Sequence, residues 1–196
     1  RHPANVCVVA TSALSGAGAP SATGRTEVTG VGVGYDGINW YTRSGFGGRF
    51  STMLKYAGWD AIVIEGKADK PVWVDIRNES VVIREAAGLW GKDTWATQLE
   101  IWKLLGVESG ARGAWLALDE LKDAPKLESG DAGRTTQKPA IVTIGPAGEN
   151  LCHGSLIHDA GNGAGQGGFG SVWGSKNLKA ISVIGTGSIK VANPMA

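Results

Sequence analysis

The apolar residues of this chain come in short β-branched runs, and three of them stop at a glycine. Residues 61–66 (AIVIEG), 140–145 (AIVTIG) and 180–185 (AISVIG) share that shape. Val, Ile and Thr are stiff at χ1 and pack well on a pleated surface, so such runs favour strands. The pattern predicts a sheet-dominated core, and the shared shape points to an internal structural repeat. Every apolar run is far shorter than the ~18 residues of a membrane-spanning helix, so no membrane association is expected. Residues 6–10 (VCVVA) read as a buried strand, which makes Cys7 inert. Residues 26–33 and 38–42 read as strands of one antiparallel region turning at Asp36-Gly37, with loops over 11–24 and 44–48. Val72–Arg77 and residues 81–84 read as a hairpin turning at Asn78-Glu79. Its alternation predicts a buried face of Val72, Val74 and Ile76 and a wetter face of Trp73, Asp75 and Arg77.

Helical spacing is rarer. Phe50, Met53, Leu54 and Ala57 recur at helical intervals, and Gly58 follows as a C-terminal stop. A longer helix is expected over 94–105 with Asp93 as N-cap. Its stripe of Trp95, Leu99, Trp102 and Leu105 is expected in the core, with Gln98, Glu100 and Lys103 off it. Residues 106–139 are more charged and irregular. They read as a surface insertion with one short helix over 115–122.

Composition closes off several function classes. With 42% hydrophobic residues and eight tryptophans the chain can offset its conformational entropy, so disorder is not expected. A formal net charge of +1 offers no global attraction to nucleic acid or an anionic membrane. Two cysteines, Cys7 and Cys152, cannot form a disulfide framework, and an iron–sulfur cluster usually takes about four thiolates. The chain begins at Arg1 without a signal-like segment and ends at Ala196 without a stop signal. It is read as a piece of a longer, cytoplasmic protein.

Glycine, 31 of 196 residues, concentrates where chemistry is plausible. Residues 161–170 (GNGAGQGGFG) let backbone N–H groups approach an anion, and a helix opening at Phe169 would add its dipole. The run satisfies G-x-G-x-x-G twice, at Gly163/Gly165/Gly168 and at Gly165/Gly167/Gly170. It lacks the clean preceding strand and the acidic residue about 20 positions on that a dinucleotide site needs. The order Gly174-Ser175-Lys176 does not make a Walker loop. Two further glycine–cation clusters lie at 19–25, ending in Arg25, and at 43–49, from Arg43 to Arg49. Three such loops suit a ligand with more than one phosphate, since each arginine offers a bidentate fork. Ordinary turns with solvated arginines are the other reading. His153 and His158 lack further ligands at metal spacing and read as structural or pocket-edge histidines. Asp60 and Glu65 fall on opposite sides of one strand and are not an acid–base pair.

Four blocks carry a family resemblance. Residues 54–72 (LKYAGWDAIVIEGKADKPV), 89–94 (LWGKDT), 144–151 (IGPAGENL) and 165–181 (GQGGFGSVWGSKNLKAI) resemble, in order, signature stretches of aldehyde ferredoxin oxidoreductases. The resemblance covers the N-terminal cofactor domain of that family. It implies an α+β, sheet-rich, two-sheet base with a few short helices, spanning 1–196. It implies a tungsten (or molybdenum) bis-pterin cofactor whose phosphates are bridged by magnesium. It also implies a 4Fe-4S cluster held by parts of the protein outside this chain. The implied reaction is anaerobic oxidation of an aldehyde to a carboxylate, with electrons passed to ferredoxin or another electron-transfer subunit.

The implied partners are the remaining domains of the same enzyme, and an oligomer is expected. This piece alone should be inactive. A low-potential reductase of aromatic thioesters, of the benzoyl-CoA type, is the alternative within the family. A cofactor-free scaffold that kept the fold is the alternative outside it.

Carried over by position, the resemblance assigns Arg25, Arg43, Ser44, Gly45, Asn162, Gly163, Gly165 and Gln166 to cofactor binding. Backbone carbonyls of Arg43 and Gly163 fall where the magnesium is held. Asn162 and Gln166 replace two arginines of the family pattern, and Arg43 replaces an asparagine. Arg43 or Arg49 is expected to restore the missing positive charge.

Overall fold

The computed structural model describes residues 2–18, 24–33, 40–107, 116–117, 121–124, 134–135, 138–158, 161–190 and 192–193. Strands β1 (Cys7–Ala10), β2 (Thr26–Val31), β3 (Tyr41–Phe46) and β4 (Ala61–Ile64) form an antiparallel sheet in the order β3-β2-β1-β4. A second sheet holds β5 (Val72–Arg77), β6 (Ser80–Glu85), β9 (Ala140–Thr143), β10 (Leu156–His158), β11 (Asn162–Ala164) and β12 (Leu178–Ile184). Its order is β11-β10-β9-β12-β5-β6, and only β12 and β5 run parallel. Two short strands, β7 (Leu116–Ala117) and β8 (Arg134–Thr135), pair separately. Helices are α1 (Phe50–Tyr56), α2 (Thr94–Leu104), α3 (Pro146–Glu149) and α4 (Phe169–Ser175). This is the α+β, sheet-rich, two-sheet architecture expected from the sequence.

The core lies where β9 and β12 run side by side, every residue of both being buried. Helix α1 closes over them with Phe50, Met53 and Leu54. Its last turn comes so near Gly185 that a methyl group there would overlap backbone atoms of Met53 and Ala57. The glycine that stops β12 is thus required by close approach. Gly66 instead takes a left-handed φ of +67°, and Gly145 starts α3 in an extended conformation. The three similar runs therefore end for different reasons. They also sit differently, β4 being a half-exposed edge and β9 and β12 central neighbours. The expected internal repeat is not present.

Four further expectations change. On β5 the polar side is the more buried one: Trp73, Asp75 and Arg77 are 2–3% exposed, while Val72 and Val74 are half-buried. Asp75 Oδ2 accepts from Arg77 Nε and Arg84 Nε, each at 3.0 Å, and Arg77 Nη2 donates to the Lys122 carbonyl at 2.8 Å. A charged set that is mostly paired within itself can be covered, leaving Arg77 Nη1 without a partner among the described residues, and Lys122 and Asp123 border it. On α2 the side chains of Thr97, Gln98, Ile101 and Leu105 face inward, leaving Trp95 (55%) and Leu99 (60%) exposed. The helix has two stripes at helical spacing, and packing against β9 selects the less aromatic one. Asp93 does cap it, accepting from Ala96 N at 2.7 Å.

The helix expected over 115–122 is replaced at its start by β7; the rest of that span lies mostly outside the described residues. The strand expected over 38–42 begins at Tyr41 and continues through Ser44-Gly45-Phe46, placed in a loop by the sequence, because β2 pairs with it as far as Thr26↔Phe46. The Asp36-Gly37 turn lies outside the described residues.

One ion pair joins three of the blocks that carry the family resemblance. Lys179 on β12 is fully buried, and its Nζ binds Glu149 Oε1 and donates to the Lys92 carbonyl at 2.7 Å. Glu149 also accepts from Gly91 N through both oxygens, at 2.9 and 3.1 Å. Burial pulls the Lys179 ammonium below its usual value, and Glu149 partly restores it. Removing one charge of a buried pair strands the other. Glu149→Gln should therefore cost on the order of 3–5 kcal/mol in urea unfolding of the full-length protein, with Glu149→Leu/Lys179→Met recovering part of that loss. A Glu149→Gln protein as stable as the parent contradicts this role.

Candidate functional site

On β2 the alternation Thr26, Val28, Gly30 points inward and Glu27, Thr29, Val31 points outward. The antiparallel register sets Gly45 opposite Glu27 and Arg43 opposite Thr29, so these residues share one face. Arg25, one step before the strand, falls on that face as well. Gln166 reaches it from a 3-10 turn at Gln166–Gly168. Arg25, Glu27, Arg43, Ser44, Gly45 and Gln166 together line an open cleft of about 370 Å³.

Glycine at 45 makes this arrangement possible. A Cβ there would lie 2.7 Å from Arg25 Nε and 2.9 Å from Glu27 Oε1. Both side chains instead lie across the strand. Glu27 Oε1 sits 3.5 Å from Arg43 Nη1 and 3.9 Å from Arg25 Nε. A guanidinium has five N–H donors, so each arginine keeps donors beyond those on Glu27. The bond from Gly32 N to the Trp40 carbonyl at 3.1 Å sets the phase of the β2–β3 ladder. By that phase the backbone groups of Arg43 and Gly45 point away from β2, toward the open edge of β3. Strand β11 packs against β3.

Five of the eight residues expected at a cofactor site thus meet around one cleft. Asn162, Gly163 and Gly165 lie outside its lining. The Asn162 side chain lies beside Gly47 and Gly48, Gly163 pairs with Ile157, and the Gly165 carbonyl is 3.3 Å from His153 Nε2. Of the two arginines expected to supply charge, Arg43 does line the cleft. Arg49 does not: its guanidinium is committed to the Lys138 and Pro139 carbonyls. Glu27 was missed by sequence reasoning, although the two-residue period from Arg25 would have placed it on the same face.

The glycine run 161–170 divides into two roles. Only its Gln166 reaches the cleft. A helix, α4, does open at Phe169, but it is buried at every residue. Its Gly170 and Gly174 allow backbone contact with Gly154 and Gly148, where added methyl groups would overlap main-chain atoms. Beyond Gly168 the glycines therefore serve packing, not an anion.

The histidines follow the structural reading. His158 is fully buried against Phe46 and Phe50, with Nδ1 2.6 Å from the Ile141 carbonyl and Nε2 accepting from Arg49 N at 3.2 Å. His153 Nδ1 is 3.0 Å from the Val33 carbonyl. Among the described residues no group of three His, Cys, Asp or Glu side chains could hold a metal ion, and no helix is long and apolar enough to cross a membrane. A cofactor here would be held through its anionic groups. The two arginines, the Gln166 amide and the side-chain-free strand at Gly45 fit a phosphate.

Cys7 is fully enclosed, and burial pushes its thiol from 9.0 up to about 11, with nearby Trp173 and the Lys176 ammonium pulling it back only in part. A thiol held protonated longer in the folded chain favours folding below pH 9.0, and that contribution is lost as pH rises through about 11. Buried Lys176 and Lys179, both lowered, act with the opposite sign in the alkaline range. The stability gap between the parent and Cys7→Ala should accordingly shrink by about 2–3 kcal/mol from pH 8.5 to pH 11, followed by denaturant titration. A pH-independent gap contradicts the thiol's burial.

Comparison with known proteins places these observations in context. The family described as aldehyde ferredoxin oxidoreductase, N-terminal domain, matches residues 1–114 and 113–185. A tungsten-containing aldehyde ferredoxin oxidoreductase of Pyrococcus furiosus is 36% identical over 192 residues, covering 97% of this chain and 26% of that protein. The Thermococcus kodakarensis enzyme of the same name is 34% identical over the same shares. An aliphatic sulfonate oxidoreductase, WOR-like subunit, of Pyrococcus furiosus is 36% identical over 137 residues, or 69% of this chain and 19% of that one. Among solved structures, the active site complex BamBC of benzoyl coenzyme A reductase, with 1,5 dienoyl-CoA, aligns with a TM-score of 0.72. It is 29% identical and covers 98% of this chain and 24% of that one. The chain spans about a quarter of the length of the curated tungsten enzymes it matches.

Proposed function

The chain belongs to the aldehyde ferredoxin oxidoreductase family, and on that premise we propose that it cradles the phosphates of a tungsten pterin cofactor in a longer oxidoreductase. The observation that carries this reading is the convergence of Arg25, Arg43, Ser44, Gly45 and Gln166 on one polar cleft. Arg25 and Arg43 would each offer a fork to phosphate oxygens, and the Gln166 amide a further donor. The Gly45 strand would let the phosphate approach the main chain. The backbone carbonyls of Arg43 and of Gly163, which lies outside the cleft lining, would be the hard oxygen donors offered to a magnesium ion.

The bound cofactor would supply the redox chemistry, while these residues fix its orientation and charge environment. Electrons would leave through a 4Fe-4S cluster held elsewhere in the enzyme to ferredoxin or another carrier. Oxidation of an aldehyde to a carboxylate is the reaction assigned first, because the matching curated enzymes include tungsten-containing aldehyde ferredoxin oxidoreductases. Reduction of an aromatic thioester is the second reading, favoured by the likeness to the benzoyl coenzyme A reductase complex.

In the full-length protein, Arg25→Gln and Arg43→Gln should each lower retained pterin and tungsten at least tenfold after a salt wash, since a charge-assisted bond to phosphate contributes about 1.5–3 kcal/mol. Pterin fluorescence after oxidation and metal analysis read the loss. The melting temperature of the cofactor-free protein should stay unchanged, because both side chains are mostly exposed. Full retention in both variants would mean that the cofactor is held elsewhere, and no pterin or metal even in the parent would point to the cofactor-free scaffold.

A further inference from the structure

Glu27 is the lining residue that an anion cradle does not require. Among the described residues that line the cleft it is the only acid, and it stands between the two arginines. Its Oε1 contacts them at 3.5 and 3.9 Å, longer than the ~2.8 Å of a tight charge-assisted hydrogen bond. The arginine side chains are 64% and 79% exposed, so these pairs are weak and solvent-screened. The other oxygen, Oε2, is enclosed and has no hydrogen-bond partner among the described residues. An enclosed carboxylate oxygen without a donor is unfavourable, so this placement is not explained by stability. It is imposed by the strand: Glu27 lies opposite Gly45, whose missing side chain leaves room for the carboxylate.

We infer that Glu27 is an internal counter-ion of the cleft, holding Arg25 and Arg43 when no ligand is bound and giving them up to a phosphate dianion. This rests on the phosphate-cradle reading above. The exchange balances in charge: two guanidinium groups leave one carboxylate and take a doubly charged group. A monoanion such as acetate would gain no more from the arginines than Glu27 already supplies from within. A phosphate can engage both forks at once through separate oxygens. Glu27 thus lowers absolute affinity and raises discrimination, rejecting singly charged competitors while admitting the doubly charged group. In that sense it is a specificity-determining residue, and it does not act in the chemistry.

The test uses the full-length protein from cells grown without tungsten or molybdenum, with inorganic pyrophosphate as the probe and acetate as the competitor. Isothermal titration reads both affinities. The Glu27→Gln protein keeps the side-chain shape and loses the charge. It should bind pyrophosphate about tenfold more tightly, the scale of one nearby like charge removed at a partly exposed site. It should also become sensitive to acetate, which leaves the parent unaffected. Glu27→Asp draws the carboxylate back by one methylene and should tighten binding to a smaller degree, which keeps the inference testable if Glu27→Gln does not fold. Equal or weaker pyrophosphate binding by Glu27→Gln, beside normal binding by the parent, overturns the counter-ion role and makes Glu27 a prop for the arginines. Absence of binding in the parent and both variants overturns the cradle reading as well.

Discussion

Lys179 is buried in the middle of the larger sheet, and a buried ammonium is tolerated only where opposite charge and acceptors meet it. Glu149 and the Lys92 carbonyl do so, and Glu149 in turn holds Gly91 N. This one contact ties β12 to α3 and to the turn before α2. The three sequence blocks that hold those residues are far apart in the chain, and the pair brings them together. With α3 fixed, α4 can pack against it through Gly148, Gly170 and Gly174, where only main chain separates the helices. The 3-10 turn leading into α4 is fixed by the same packing, and that turn presents Gln166 to the cleft.

The cleft therefore has two sources of order. Strands β2 and β3 supply Arg25, Glu27, Arg43, Ser44 and Gly45 on a regular register. The second sheet and its helices supply Gln166. His158 locks the two halves: it lies on β10, bonds to Ile141 on β9, and accepts from Arg49 N just beyond β3. Arg49 adds its own bonds to the Lys138 and Pro139 carbonyls. On the proposed reading, an anion entering this cleft would need only the two exposed arginines to leave Glu27, with the strands on either side unchanged.

Much of this was legible in the sequence where local physics decides. The β5–β6 hairpin, α1 with its glycine stop and the Asp93 cap follow from period, capping and turn residues. The arginine–glycine clusters at 25 and 43–45 and the amide at 166 also pointed to one place. What the sequence hid depends on tertiary pairing. Trp73, Asp75 and Arg77 are covered because Arg84 and the Lys122 carbonyl satisfy them, and alternation alone cannot reveal those partners. Helix α2 carries two possible faces, and only its docking on β9 leaves Trp95 and Leu99 outside. The glycine at 170 reads as ligand-binding because close approach to another helix and close approach to an anion demand the same residue. Glu27 needed only the period of its own strand, but attention to cations passed over it.

The central claim is that this domain receives phosphate between Arg25 and Arg43. A structure of the full-length, cofactor-loaded enzyme tests it most directly. The account predicts a cofactor phosphate within about 3 Å of both guanidinium groups, with Glu27 no longer contacting them. A cofactor whose phosphates sit away from both arginines, with the Glu27 contacts unchanged, would contradict it.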